Sequence, residues 1–227
     1  MVSIAHASID ENGKVKGGKA GDQTGKEVCV RTWYSKPWNV VIRFHDPDMR
    51  EKVAIAMENA AKNNNIGYDQ NQRNTLLNAV RRYGYDPKNA STKVETDCSA
   101  LVTVACIYAG IAEDALVKGG NCATTSTLKS RLKATGEVTI FTSKDYTRDT
   151  DKLLRGDILL AEGHHVAVVV SGNLIDNSDR SLEDVAMAVI RGEYGTGSAR
   201  RAKLTDEGWN YSLVQAKVNE MLKRHLK

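Results

Sequence analysis

The stretch "VETDCSALVTVACIYAG", residues 94–110, decides how the rest of the chain is read. Behind Cys98, the positions Leu101, Val102, Ala105, Cys106 and Ala109 follow at three, four, seven, eight and eleven residues. That spacing is the stripe of an amphipathic helix with one face in a core. Thr96 or Asp97 stands where the helix cap belongs, so Cys98 falls in the first turn. A cysteine attacks as its thiolate, and the unpaired N–H groups and dipole at a helix start favour negative charge. Most buried cysteines are small core residues. Two readings of Cys98 therefore stand side by side, core residue and nucleophile, and the remaining sequence has to supply a partner.

Five histidines are available. His6 and His45 stand near turns, and His225 lies in the tail of a C-terminal helix. His164 and His165 are adjacent, between "RGDILLAEG" and "VAVVV". Neighbours on a strand point to opposite faces, so only one of the two can look into a given cleft. The other cysteines lack the setting of Cys98. Cys106 lies two turns down the same stripe, Cys29 sits in a β segment, and Cys122 follows a glycine pair.

Around this centre the pattern is mixed. "EVCVRTWY", "WNVVIRF", "EVTIFT", "DILLA", "HHVAVVV" and "NLID" read as strands. "DPDMREKVAIAMENAAKN", "DQNQRNTLLNAVRRYG" and "TTSTLKSRLKATG" read as helices, the second ending at Gly84. "ASIDENGKVKGG" reads as a hairpin turning at Glu11 to Gly13. After the linker "DNSDRS" the texture becomes helical, with three short helices near 182–191, 198–206 and 212–225. The expected organisation is an α+β domain over residues 1–178 and a small three-helix bundle over 179–227.

Composition bounds the function. The chain has 227 residues, 41% hydrophobic and 26% charged, enough for one mid-sized domain and a small one. No apolar run approaches the roughly 18 residues of a membrane span, and the start lacks a signal-peptide pattern, so membrane insertion is not expected. The net charge of +4 suits anionic polymers, but no nucleic-acid motif is present and no nucleic-acid partner is expected. Four cysteines without a C-x-x-C pair argue for free thiols. "DENG" is too short for a calcium loop, and neither metal nor cofactor is expected.

"DCSALV" resembles the nucleophile motif of the NlpC-type cysteine peptidases, papain-like cell-wall hydrolases close in fold to the CHAP amidases. "GDILLAEGHHVAVVV" resembles their second motif, a Gly-Asp turn and strand followed by a His-Val pair. The resemblance implies a papain-like catalytic domain, with helices packed on an antiparallel sheet, Cys98 as nucleophile and His165 as base. It implies a third polar residue one strand and turn later, where Asn177 stands with Asp176 as competitor. Ala100 and Ala167 replace glycines of the pattern. The segment "GGKAGDQTGKEVCVRTWYSKPW" resembles the opening of phage endolysins. Its Asp22, Gln23, Trp33 and Trp38 are either cleft residues or a turn and two packed tryptophans, without an assigned catalytic role.

"LEDVAMAVIRGEYGTGSARRAKLTDEGWNYSLVQAKVNEML" resembles the cell-wall-binding repeat of the Cpl-seven type. That resemblance implies binding of the muramyl-dipeptide part of peptidoglycan. Arg191 could pair with a carboxylate, Tyr194 could stack on a sugar, and Asp184 could share their face. Leu182, Val185, Val189, Leu204, Val214 and Val218 read as core.

Together these resemblances imply a phage-type endolysin, made in the host cytoplasm and acting on the cell wall after release. It would be an N-acetylmuramoyl-L-alanine amidase or a stem or cross-bridge endopeptidase. The other classes are a non-catalytic wall-binding protein with a decayed papain-like domain and a cytosolic protease acting on proteins. A single repeat would bind weakly, which leads to the expectation of a homo-oligomer or of association with separately made C-terminal fragments.

Overall fold

The computed structural model describes residues 2–35, 38–171, 182–207, 209 and 211–225, the side chains of residues 224 and 225 excepted. The chain divides into two compact units, Met1–Phe44 with Asp48–Asn173, and Leu174–Lys227 with His45–Pro47. The expected boundary between residues 178 and 179, the strand read in "NLID", Asp176 and Asn177 all lie outside the described residues.

In the first unit the elements run β1 (Ser3–Ala7), β2 (Val28–Thr32), β3 (Val40–Phe44), α1 (Pro47–Ala61), β4 (Ile66–Tyr68), α2 (Thr75–Val80), β5 (Val94–Thr96) and α3 (Cys98–Ala109). They continue with α4 (Glu113–Leu116), β6 (Val117–Lys118), β7 (Asn121–Cys122), α5 (Leu128–Ala134), β8 (Val138–Phe141), α6 (Lys144–Thr147), β9 (Ile158–Ala161) and β10 (His165–Ser171). The class is α+β. Six strands form an antiparallel sheet in the order β2-β1-β10-β9-β3-β8.

Both faces of the sheet are covered, which is why "VAVVV" is apolar without alternation. Val166, Val168 and Val170 join Ala5, Ala7, Ile42, Ile158 and Leu160 beneath α1 and α3. Ala167 and Val169 face the other way, with Ile4, Val41 and Leu159 under Trp38 and Tyr146. Burying whole strands on two faces supplies most of the apolar contact that holds the unit.

The Gly-Asp turn before β9 is structural. Gly156 has φ +87°, and a Cβ there would lie 2.3 Å from the Arg50 carbonyl oxygen, so only glycine fits. Asp157 accepts two 2.7 Å bonds from the Arg43 guanidinium and one of 2.8 Å from the Leu154 N–H, all in the interior. A buried charge persists only when paired and hydrogen-bonded in this way.

Two expectations differ from the structure. The turn at Glu11 to Gly13 is present, with Asp10 accepting from the Asn12 and Lys14 N–H groups. Its second arm is not a strand. The partner of β1 is β2, reached after an excursion over residues 8–27. Side-chain carboxylates hold that excursion in place of a ladder. Asp22 accepts the Gly25 and Glu27 N–H groups, Glu27 those of Gln23 and Tyr68, and Glu95 that of Gly21. The second helix is also shorter than its pattern, since Asp69 turns the chain by accepting from Asn71 N–H and helix begins only at Thr75.

The second unit contains α7 (Leu182–Ile190), α8 (Gly197–Asp206) and α9 (Tyr211–His225), close to the expected spans. Val185, Val189, Leu204, Val214 and Val218 meet in one apolar cluster, and Leu182 packs against it in part.

Candidate active site

The start of α3 is built around Asp97. Its backbone is extended and its carboxylate accepts the Ala100 N–H at 2.7 Å, so it caps the helix. The same carboxylate receives Arg73 and the Ser99 hydroxyl. Arg73 also donates to the carbonyls of Cys122 and Ala123 at 3.0 and 2.7 Å. One arginine thus ties the loop after β7 to the helix start. Nothing local in "DQNQRN" distinguishes Arg73 from a solvated helix charge.

Cys98 is the first residue of α3 and is 5% exposed. It shares a buried cluster with Val166, the residue after His165 on β10, and the backbone N–H groups of Val166 and Ser99 favour its thiolate. Burial pushes the thiol up to about 12, and the neighbouring Asp97 charge adds to this. The two N–H groups and Arg73 pull the other way without overcoming it. The helix start alone would favour thiolate. Here the cap is itself an anion and the sulfur is buried, and both act against the thiolate. Cys106 is pushed up by burial alone, and Cys122 to about 11, again chiefly by burial.

The two adjacent histidines have different surroundings. His164 is exposed and lines a 310 Å³ cleft together with Cys98, Arg73, Asp97 and Gln70. His165 begins β10 and is half-buried. Its Nε2 lies 2.9 Å from Nδ1 of His6 on β1, the rings meeting edge to face at 5.2 Å between centroids. The Trp38 ring stacks beside it at 6.0 Å and 29°, and the Trp38 indole N–H is anchored on the Tyr34 carbonyl at 3.1 Å. Both histidines line a 620 Å³ cleft with His6, Arg31, Tyr34 and Tyr68. A neighbouring 700 Å³ cleft shares His6, Ser8, Ile9 and Arg31 with it.

His6, expected near a turn, lies within β1 instead. Its signal was the alternation in "SIAHA", which puts Ile4 and His6 on one face of β1. Trp38 is buried beside the histidines, Trp33 is partly buried in the same cluster, and Asp22 and Gln23 belong to the excursion's own hydrogen bonds. Among the described residues no group of three His, Cys, Asp or Glu side chains stands where it could hold a metal ion.

In the C-terminal unit Asp184 and Arg191 are exposed, and Arg191 bonds the Glu193 carboxylate at 2.6 Å. Tyr194 is 3% exposed, with its ring in the apolar cluster and its hydroxyl on Glu207. Its ring is therefore occupied inside the module, in one cluster with Leu204 of α8 and Val214 of α9.

Fold and site thus define a mixed α+β unit with a cysteine-headed helix on an antiparallel sheet, followed by a helical module. Residues 4–175, well over half of the chain, match the endolysin-like domain, and the chain belongs to that family. Residues 183–222 match the CW_7 repeat. Neither a curated protein nor a solved structure matches the chain. The two matches support an endolysin that acts on peptidoglycan and carries a cell-wall-binding repeat at its C-terminal end. Among the described residues no helix is long and apolar enough to cross a membrane.

Proposed function

We propose that the protein hydrolyses an amide bond of peptidoglycan with Cys98 as nucleophile and His165 as base, on a papain-like domain related to the NlpC and CHAP hydrolases. The observation that carries this reading is the position of Cys98 at the start of α3, in one buried cluster with Val166, which follows His165 on β10. His165 takes the thiol proton as the sulfur attacks the carbonyl carbon. The Cys98 N–H at the helix start faces the developing oxyanion. The C–N bond then breaks as His165 returns the proton to the leaving amine. Water, deprotonated by His165, releases the thioester. Asn177, with Asp176 as competitor, is the sequence candidate for orienting the imidazole.

A second reading of the base rests on a specific observation: His164 lines the same 310 Å³ cleft as Cys98. Alanine variants of each histidine, compared for thiol alkylation and wall clearing, separate the two.

The domain division is proposed at residues 178 and 179, with a three-helix bundle that binds wall through Asp184 and Arg191. Tyr194 would shape that surface from within. Self-association, or joining of C-terminal fragments, would supply further copies of the repeat. The protein would be made in the host cytoplasm and reach the wall after release. Mass spectrometry of digested peptidoglycan tests the reaction. New N-terminal alanine marks an amidase, a shortened stem marks an endopeptidase, and unchanged fragments with wild-type protein defeat both.

A further inference from the structure

We propose that His6 is the positioning residue for His165, holding its imidazole in the role for which the sequence pattern offers Asn177. The inference rests on the reading of Cys98 and His165 just given. It assembles the reacting group from three distant parts of the chain: the N-terminal strand, the central helix and the last strand of the sheet.

The geometry is that of a base and its orienter. β1 runs antiparallel beside β10, with Ile4 opposite Val169 and Ala5 opposite Val168. Alternation then puts Ile4 and His6 on the face that carries Ala167 and Val169, and His165 shares that face. Nδ1 of His6 and Nε2 of His165 are 2.9 Å apart, a full hydrogen bond between residues 159 positions apart in sequence. His6 is only 3% exposed, so its ring is fixed by its surroundings and its polar atoms must be satisfied there. Trp38 lies flat beside the His165 ring while His6 meets it edge on. Two contacts from two directions leave the imidazole little freedom to rotate.

The roles fix the protons. With Nε2 of His165 engaged by His6, Nδ1 is the nitrogen that receives the thiol proton. His165 therefore carries its resting proton on Nε2 and donates it to His6 Nδ1. His6 in turn is the neutral tautomer protonated on its own Nε2. During attack the sulfur–carbon bond forms, the carbonyl electron pair moves to oxygen, and the thiol proton passes to His165 Nδ1. The bond to His6 then becomes charge-assisted, which strengthens it as the imidazolium forms. His6 gains and loses no proton. It acts through His165 and touches no reacting atom, in the manner of the third member of other nucleophile–base–orienter sites.

The test uses the full-length chain and purified cell walls, reading clearing rate against wall concentration so that apparent kcat and KM separate. His6→Asn places an amide oxygen near the position of Nδ1 and keeps an acceptor. His6→Gln moves that acceptor farther out, and His6→Leu removes it. The expected result is a fall in kcat of roughly 10 to 10² for His6→Leu and His6→Gln, within the contribution of general acid–base catalysis. KM stays unchanged, and His6→Asn stays within about threefold of wild type. Should His6→Leu fail to fold, the contrast of His6→Asn with His6→Gln decides alone. Equal kcat in those two, or wild-type kcat in folded His6→Leu, overturns the proposal. Lytic Cys98→Ala or His165→Ala protein would instead overturn the catalytic reading beneath it.

Discussion

The two units of this chain make their surfaces in opposite ways. The C-terminal unit draws its core and its exposed charges from helices that follow one another directly, Leu182–Ile190, Gly197–Asp206 and Tyr211–His225. The first unit gathers its candidate site from remote segments, with Arg73, Cys98, Thr124 and His164 around one cleft opening and His6 and His165 paired across the sheet. A local module can be lost without touching the rest. A site made of long-range contacts fails only when one of its members, or the sheet that brings them together, is removed.

The sharpest break between the two is Cys98→Ala. It should abolish wall clearing, a loss of at least roughly 10⁴-fold, while binding to sedimented walls persists. Cys29→Ala, Cys106→Ala and Cys122→Ala should each keep activity if folded. Clearing by the Cys98→Ala protein would remove the nucleophile from the first unit.

Leu204→Ala should do the reverse. Leu204 is wholly buried in the helical cluster, and truncating such a leucine costs about 2–5 kcal/mol, comparable with the whole stability of so small a core. Wall binding should disappear while hydrolysis of small soluble muropeptides continues at the wild-type rate. Parallel loss of both would mean that the units depend on each other for folding.

A smaller effect concerns the carboxylates that hold the N-terminal excursion. Glu95 and Glu27 are each 1% exposed, and burial, aided by the Glu27 charge, pushes Glu95 up to about 8. Glu95 Oε1 accepts the Gly21 N–H, and Oε2 has no hydrogen-bond partner among the described residues. The folded protein therefore holds a proton that the unfolded chain, titrating near 4.5, gives up. Stability from this group is full below pH 4.5 and is lost as pH rises through about 8. Calorimetry at matched ionic strength should show Tm falling by about 5 °C between pH 5 and 8.5 in the first unit, and less in Glu95→Gln. Identical slopes in the two proteins would refute the assignment.

The smallest change expected is Arg191→Gln. The side chain is exposed and already bonded to Glu193, so removing its charge should weaken wall binding by only about three- to fivefold, with the catalytic rate on soluble fragments unaltered. Co-sedimentation at two salt concentrations measures this directly.

Much of this was legible in the residues. The stripe behind Cys98 predicts α3 to within a residue of its bounds, the cap is narrowed to Thr96 or Asp97, of which Asp97 serves, and the apolar run after His165 predicts β10. These are local statements, resting on the 3.6-residue turn, on the unpaired N–H groups of a helix start and on burial of a strand. The three C-terminal helices were readable for the same reason. Tertiary structure alone decided the rest. It paired β1 with β10 and so brought His6 to His165. It made Asp10, Asp22, Glu27 and Glu95 fasten a long excursion that the sequence offers as a hairpin. It also surrounded Cys98 with apolar contacts and an anionic cap, which reversed the preference of a helix start for thiolate. Periodicity reports which face of an element is buried, but it does not report what lies against that face. Hydrogen bonds and desolvation depend on that neighbour, and the neighbour is set only when the chain has closed on itself.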